Sequence, residues 1–232
     1  MASPLSNGLL ALLPSSDYER IRTKLKLVGL SKGDILFRAG EPIHCVYFPV
    51  GAVISMSTEL ADGFGAETLV LGNTSLVGIG ALGVGSSFNT ATVIESGLAY
   101  ELGLANFQQE YSRGGAFMHI LLMGVRDEFA QMSQSLICSK RHSLTQQLAR
   151  WILTVCDRST SDTITASHSE IGFLLGFRRE GVSLALRTLA ESGLISSVRR
   201  QLKVIDRAGL EQIACECYAE ISRQTPREKF LV

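Results

Sequence analysis

The stretch ITASHSEIGFLLGFRREGVSLALRTL, residues 164–189, carries the pattern of two short helices folded over one tight turn. Such helices need a small residue where their backbones approach and a glycine where the chain reverses. Gly172 supplies the first and Gly176 the second. Ile171, Leu175, Val182, Ala185, Leu186 and Leu189 recur at helical spacing and form a shared apolar seam. Arg178, Arg179, Glu180 and Ser183 fall off that seam, at the N-terminal end of the second helix. In a helix-turn-helix this is the end that enters the major groove, so these four are the candidate base readers. A helical hairpin with a solvated basic tip is the alternative reading.

The flanks extend the pattern. Leu194–Val198 and Leu202–Ile205 read as a β-hairpin with Arg199, Arg200 and Lys203 near its tip, a wing suited to phosphate contacts. Arg187 joins this phosphate set, with a solvated basic face as the alternative. Upstream, Leu144–Val155 is an amphipathic helix with Trp151 in its core face, and Ser139–Ser143 is a polar, basic break that reads as a hinge. Before the hinge, Met118, Leu121, Val125, Phe129, Met132 and Leu136 follow steps of three and four along a helix of over twenty residues. So narrow a stripe favours pairing with its copy in a homodimer over serving as the lid of the preceding domain.

From Leu27 to about Leu104 the period changes to short β-rich runs: Asp34–Phe37, Val46–Pro49, Ala52–Thr58, Glu67–Val70, Thr90–Ile94 and Ala99–Leu102. Turn signals such as Ala39-Gly40-Glu41-Pro42 and Ala61-Asp62-Gly63 punctuate them, which predicts an antiparallel sandwich or barrel. Residues 1–14 read as a loose arm ending at Pro14, followed by a short helix over Asp17–Lys26 capped by Ser15 or Ser16. A last helix is expected over Leu210–Ile221. The fold class is therefore α+β, an N-terminal antiparallel β-roll of jelly-roll type, a long helix and a C-terminal winged helix-turn-helix. The expected domains are 1–105 (arm, helix and roll), 106–138 (dimerisation helix) and 139–232 (hinge and winged helix-turn-helix).

Net charge is zero, but its distribution is not even. Residues 1–138 carry 8 Lys+Arg against 12 Asp+Glu, while residues 139–207 carry 11 against 6. A basic block around the helix-turn-helix is the footprint of a polyanion-binding module. Five cysteines, odd in number and mostly scattered, make a poor disulfide framework and read as free thiols. Cys215 and Cys217 form C-x-C with no second cysteine pair nearby in sequence, so neither a metal nor another cofactor is expected, and Cys138 reads as a buried thiol. Without a basic segment before Leu9–Leu13, no signal peptide is expected, and the run Leu76–Val84 is too short to span a bilayer. A soluble, cytoplasmic protein with no membrane partner is the expectation.

Taken together, the β-roll, long helix, hinge and winged helix-turn-helix resemble the Crp/Fnr family of bacterial transcription regulators over about residues 15–206, most closely in Ile164–Ile195 and from Lys32-Gly33-Asp34 to Tyr47-Phe48. The resemblance implies a homodimer whose β-roll senses a small effector. Its paired helices would read a near-palindromic double-stranded DNA operator, with RNA polymerase as a candidate partner. Arg179 and Glu180 fall on the family's guanine- and cytosine-reading positions, and Ser183 matches a further base-facing position in one branch; Leu184 stands where both main branches carry a second arginine.

For the effector, the resemblance points to Gly78, Ile79, Gly80, Asn89 and Thr90 in the roll, and to Met132 and Ser133 on the long helix. Family members that bind cyclic nucleotides have a glutamate where this chain has Gly78 or Ile79, and an arginine where it has Asn89. A cyclic phosphodiester would lose its charged partner here. The reading is an effector other than cyclic AMP, uncharged or weakly polar, or a collapsed roll that takes none. No cysteine precedes Cys45 to suit the family's N-terminal iron–sulfur cluster, and His44 beside Cys45 reads as structural. Two other classes stay open. A cupin-like metal enzyme needs clustered histidines, but His44 stands alone in the roll, with His119, His142 and His168 in the helical half. A sensor acting through protein partners would dimerise without operator affinity. No catalytic residue is assigned.

Overall fold

The computed structural model describes residues 3–83, 85–159 and 161–224. They form two compact units. The first comprises residues up to Met56 with Leu71–Phe129; the second comprises Ser57–Val70 with Ala130–Gln224.

Helices α1 (Gly8–Ala11) and α2 (Ser15–Arg22) precede seven strands: β1 (Lys26–Leu30), β2 (Ile35–Phe37), β3 (Cys45–Pro49), β4 (Val53–Glu59), β5 (Gly65–Leu71), β6 (Thr90–Glu95) and β7 (Gly97–Gly103); of these, residues 57–59 of β4 and 65–70 of β5 fall in the second unit and the rest in the first. One sheet has the order β1-β7-β3 and the other β2-β6-β4-β5, with the distal part of the β4–β5 hairpin grouped in the second unit. Alternation explains the strands: Val46 and Phe48 of β3 are buried, as are Ala91 and Val93 of β6. All six expected strands are present.

The N-terminal arm corrects the sequence reading. Residues 1–14 were expected to be loose, yet Leu9, Leu10 and Leu13 are core residues. Fully buried Asn7 organises the segment. Its Oδ1 accepts from the amides of Leu9 and Leu10, and its Nδ2 donates to the carbonyls of Pro49 and Ser75. A buried amide with all these partners contributes stability and fixes direction, which an apolar residue could not do. The next helix also differs: Pro14 occupies its N-cap in place of Ser15 or Ser16, and it stops at Arg22. Lys26 instead opens β1, facing Glu101 across the β1–β7 ladder with Nζ 2.8 Å from Oε1.

Two helices follow, α3 (Leu104–Ser112) and the 27-residue α4 (Gly115–Arg141). Glu110 of α3 is 2% exposed and is neutralised by Arg20 at 3.0 Å and Arg113 at 3.5 Å. Burying that carboxylate is tolerable only because these cations accompany it.

In the second unit α5 (Leu144–Arg158) is the central helix, buried along Gln147–Cys156, and its N-terminus carries a complete capping box between Ser143 and Gln146. Around it stand β8 (Thr163–Thr165), α6 (His168–Leu175), α7 (Arg179–Glu191), β9 (Ile195–Val198), β10 (Gln201–Val204), α8 (Arg207–Ile213) and α9 (Cys217–Gln224). The expected single helix over Leu210–Ile221 is thus two. The break falls at Ala214–Glu216, where Ala214 is extended (φ −60°, ψ 148°). Asp157 of α5 binds the outer helices: Arg207 reaches it at 2.6 Å and the Tyr218 hydroxyl donates to it at 2.9 Å. Burial would lower the Arg207 pKa, but the bond and charge of Asp157 outweigh that and hold the guanidinium above its ordinary range. Among the described residues no helix is long and apolar enough to cross a membrane.

Candidate nucleic-acid interface

Helix α6 starts on a second capping box: the Ser167 hydroxyl accepts from the Glu170 amide, and Glu170 Oε2 accepts from the Ser167 amide at 2.6 Å. It ends at Gly176 in the left-handed region (φ 71°, ψ 33°), where the amides of Gly176 and Phe177 close the turn onto Phe173 and Gly172. A Cβ on Gly172 would lie 2.7 Å from the Phe177 carbonyl oxygen, so this position admits no side chain without movement. Ile171, Val182, Ala185, Leu186 and Leu189 are buried between the helices, and Leu175 is half-buried.

The turn leaves Arg178, Arg179 and Glu180 exposed at the start of α7, with Arg178 as its N-cap. Ser183 lies one turn further on and is partly occupied. Its hydroxyl donates to the Arg179 carbonyl at 2.9 Å and stands 2.8 Å from His168 Nδ1, which must then be the donor between them. Ser183 therefore also locks α7 to α6, a role visible only once His168 is placed beside it. Leu184 is 62% exposed on the same surface.

The wing is a three-stranded sheet of order β8-β10-β9, with Leu202 of β10 buried beneath it. Strand β8 completes the expected hairpin by pairing Ile164 with Leu202. The turn is Arg199-Arg200, both at positive φ (47° and 71°). A two-residue turn of this hand matches the strand twist but normally uses Asn and Gly, and each arginine there costs about 1 kcal/mol. Arg199 and Lys203 are exposed, as is Arg187 on α7. Arg200 is also exposed but engaged: its Nη2 bonds Glu170 Oε2 at 3.0 Å, clamping the wing to the start of α6.

The expected effector residues divide between the units. In the first, Gly78 (φ 108°) begins a one-turn helix, Ile79–Leu82. A Cβ on Gly80 would collide with the Ser86 carbonyl, 2.2 Å away, so this segment is tightly folded on itself. Asn89 is buried, its backbone N–H donating to Ser87 Oγ, and Thr90 Oγ1 accepts from the Ala39 amide. These groups serve the roll's own fold. In the second unit Met132 lines a cavity of about 240 Å³ with Thr68, Gln131, Arg150, Trp151 and Thr154, while Ser133 is exposed. Trp151 donates to Glu67 at 3.0 Å on this cavity wall. Arg150 is 8% exposed, and its Nε has no hydrogen-bond partner among the described residues.

On α4 the expected stripe needs one correction. Leu121 is 3% exposed and belongs to the core of the first unit, whereas Leu122 is 46% exposed. The stripe becomes Met118, Leu122, Val125, Phe129, Met132 and Leu136, in strict steps of four and three, with Leu122, Phe129 (66%) and Leu136 (65%) exposed and the other three half-buried. The strict alternation is that of a heptad seam.

The cysteines are free thiols and Cys138 is buried, as expected, but the sequence did not show that three of them cluster. All five are free thiols, and Cys138, Cys215 and Cys217 are buried together with His142 beside them. Cys138 and Cys215 lie 3.5 Å apart, 77 residues apart in sequence. Their contact lowers the Cys138 thiol pKa and, with burial, raises that of Cys215; burial pushes Cys217 up.

A strand-rich roll, a long helix and a winged helix-turn-helix with a basic, exposed turn define a DNA-binding regulator architecture. Residues 146–213 match the Crp-like helix-turn-helix domain. Over 212 residues the chain is 23% identical to the transcriptional regulatory protein btr of Bordetella pertussis, covering 87% of this chain and 86% of that protein. Among solved structures it is similar to FixK2 from Bradyrhizobium japonicum (TM-score 0.69, 18% identity, 82% of this chain and 98% of that one). It is likewise similar to a Crp/Fnr-family regulator from Eubacterium rectale (TM-score 0.70, 15% identity, 91% and 98%). The chain has the fold of the Crp/Fnr regulators and carries their Crp-like helix-turn-helix domain.

Proposed function

We propose that this protein is a homodimeric, sequence-specific DNA-binding transcription regulator of the Crp/Fnr type, not an enzyme. The carrying observation is the exposed Arg178-Arg179-Glu180 at the start of α7, presented by the left-handed Gly176 turn inside the matched domain. Arg179 donates two hydrogen bonds to guanine, Glu180 accepts from cytosine, and Arg178 reads from the turn or binds phosphate. Ser183 adds a base contact with the capacity that His168 leaves it. Arg187, Arg199, Arg200 and Lys203 hold the phosphates, with Arg200 exchanging Glu170 for a phosphate or staying on it to brace the wing. The exposed heptad face of α4 pairs the two copies, so the operator is near-palindromic with half-sites about one helical turn apart.

The effector is not cyclic AMP in this reading. Asn89 offers no fixed positive charge, the Asn89 backbone and Thr90 hydroxyl are bonded within the roll, and Gly80 sits against the Ser86 carbonyl. An uncharged or weakly polar metabolite, or no roll ligand, fits these residues better.

The test is selection of bound sequences from a random duplex pool, then affinity measurement at fixed salt. Arg179→Ala should lose about 1–3 kcal/mol on the selected operator and relax one base pair, while Lys203→Ala weakens all duplexes alike. No enrichment of any sequence, or equal losses for Arg179→Ala on operator and random DNA, sinks the reading.

A further inference from the structure

We propose that Cys138, His142, Cys215 and Cys217 form a closed, four-coordinate site for a single zinc-class metal ion. The ion would clasp the end of the long helix α4 to the α8–α9 break and the start of α9. The four donor atoms all lie within 4.8 Å of one another. Cys138 Sγ is 3.5 Å from Cys215 Sγ, and Cys217 Sγ is 3.5 Å from His142 Nδ1. A tetrahedral Zn²⁺ with sulfur ligands at about 2.3 Å and nitrogen at about 2.1 Å spaces its ligands about 3.5–3.8 Å apart. The two 3.5 Å edges match that length and the other pairs lie within 4.8 Å, a spacing for one ion rather than a multi-iron cluster. Three sulfurs and an imidazole select soft or borderline metals over calcium and magnesium.

The local structure explains how the four meet. Cys138 and His142 stand four residues apart at the end of α4, joined by the backbone bond from the His142 amide to the Cys138 carbonyl. They therefore share one helix face. Cys215 lies in the break before α9 and Cys217 begins it. Neither pair is a site alone.

The surroundings add what bound metals require. Glu216 Oε2 lies 3.2 Å from His142 Nε2, so a carboxylate holds the far nitrogen while Nδ1 faces the sulfurs. This is the carboxylate–histidine–metal arrangement that sets tautomer and ring orientation. Gln134 Nε2 donates to Cys217 Sγ at 3.0 Å, a bond that strengthens on a thiolate. Buried Arg150 acts on Cys138 electrostatically, and its Nε has no hydrogen-bond partner among the described residues. Binding expels three thiol protons and leaves a net charge of −1 on the metal and its ligands, which this guanidinium offsets. All three cysteines are buried and all four positions are protein ligands, which makes the site structural rather than catalytic.

The full-length, reduced chain handled without oxygen should bind one equivalent of Zn²⁺ per chain, with a dissociation constant below about 0.1 μM. Co²⁺ should give the intense visible bands of tetrahedral thiolate coordination. Cys217→Ser should abolish both signals and Cys45→Ser neither. Because Cys217→Ser could also unfold α9, exposed Glu216 supplies a gentler variant: Glu216→Ala should weaken Zn²⁺ binding by about 10–100-fold with unchanged circular dichroism. Weak octahedral cobalt bands, no retained zinc in the reduced native chain, or equal loss in Cys45→Ser would overturn the site. A reduced chain that ignores zinc but forms a Cys138–Cys215 disulfide on mild oxidation would replace it with a redox pair. Metal is measured without DNA, so failure here leaves the operator reading standing.

Discussion

Gly172 and Gly181 sit on the two helices of the DNA-reading motif, and alanine at each should move stability in opposite directions. Both are helical, so each substitution gains up to about 1 kcal/mol by restricting the unfolded chain and improving helix propensity. At Gly181 the new methyl meets only the end of the Leu144 side chain, at 3.2 Å, which can turn aside. At Gly172 it meets the Phe177 carbonyl oxygen at 2.7 Å and the Arg179 amide at 3.6 Å, both backbone of the turn. A carbon–oxygen contact relaxes only near about 3.3 Å, so the helices must part by roughly 0.6 Å. Overpacking of that kind costs about 1–3 kcal/mol, and the 2.8 Å bond from the Phe177 amide to the Gly172 carbonyl is strained with it. The expected net is about 1–2 kcal/mol of destabilisation for Gly172→Ala and up to about 1 kcal/mol of stabilisation for Gly181→Ala. Urea unfolding followed by circular dichroism reads both. Operator affinity should fall several-fold for Gly172→Ala alone, because the displaced start of α7 carries Arg178–Glu180. A Gly172→Ala protein as stable as the parent, or less perturbed than Gly181→Ala, would refute the close-approach reasoning.

Three further outcomes are expected. Phe129→Asp places a charge in the exposed heptad face and should convert a dimer to monomers in sedimentation at micromolar concentration; a monomeric parent would remove the dimer proposal. Calorimetry should find no useful cyclic AMP or cyclic GMP affinity, and a micromolar constant abolished by Asn89→Ala would show the pocket reading to be wrong. Glu128 on α4 is buried, and burial, then the charge of Asp127, pushes its carboxyl up to about 8. The folded state therefore holds a proton that the unfolded state releases near pH 4.5, so stability falls as pH rises from about 4.5 to about 8, by about 1.4 kcal/mol per unit at most. Glu128→Gln should flatten that slope and exceed the parent by a few kcal/mol above pH 8, whereas parallel pH profiles for the two proteins would contradict it.

One part of the molecule is governed by near neighbours along the chain and was legible without the fold. The glycine at the α6 C-terminus, the helical seam of the motif and the short strands are local. Each is decided by backbone sterics and contacts a few residues apart, and each survives in the structure. Ambiguity began where two local patterns fit equally well. Leu121 and Leu122 both sit at steps of three or four from their neighbours, and only burial against the first unit's core turned Leu121 inward and Leu122 outward. Elsewhere contacts between distant residues set the outcome. Asn7 drew an apparently loose arm into the core because the carbonyls of Pro49 and Ser75 needed a donor there. Glu170 took Arg200 across 30 residues, and His168 took Ser183 across 15, recasting two expected DNA contacts as partly structural. The thiol cluster is the plainest instance. Cys138 and His142, like Cys215 and Cys217, are short spacings with no meaning alone, and they meet only in the folded chain, where α8 and α9 pack on α5. Closing a loop of 77 residues is set by the sum of many buried contacts along its length, and no short window of sequence contains that sum.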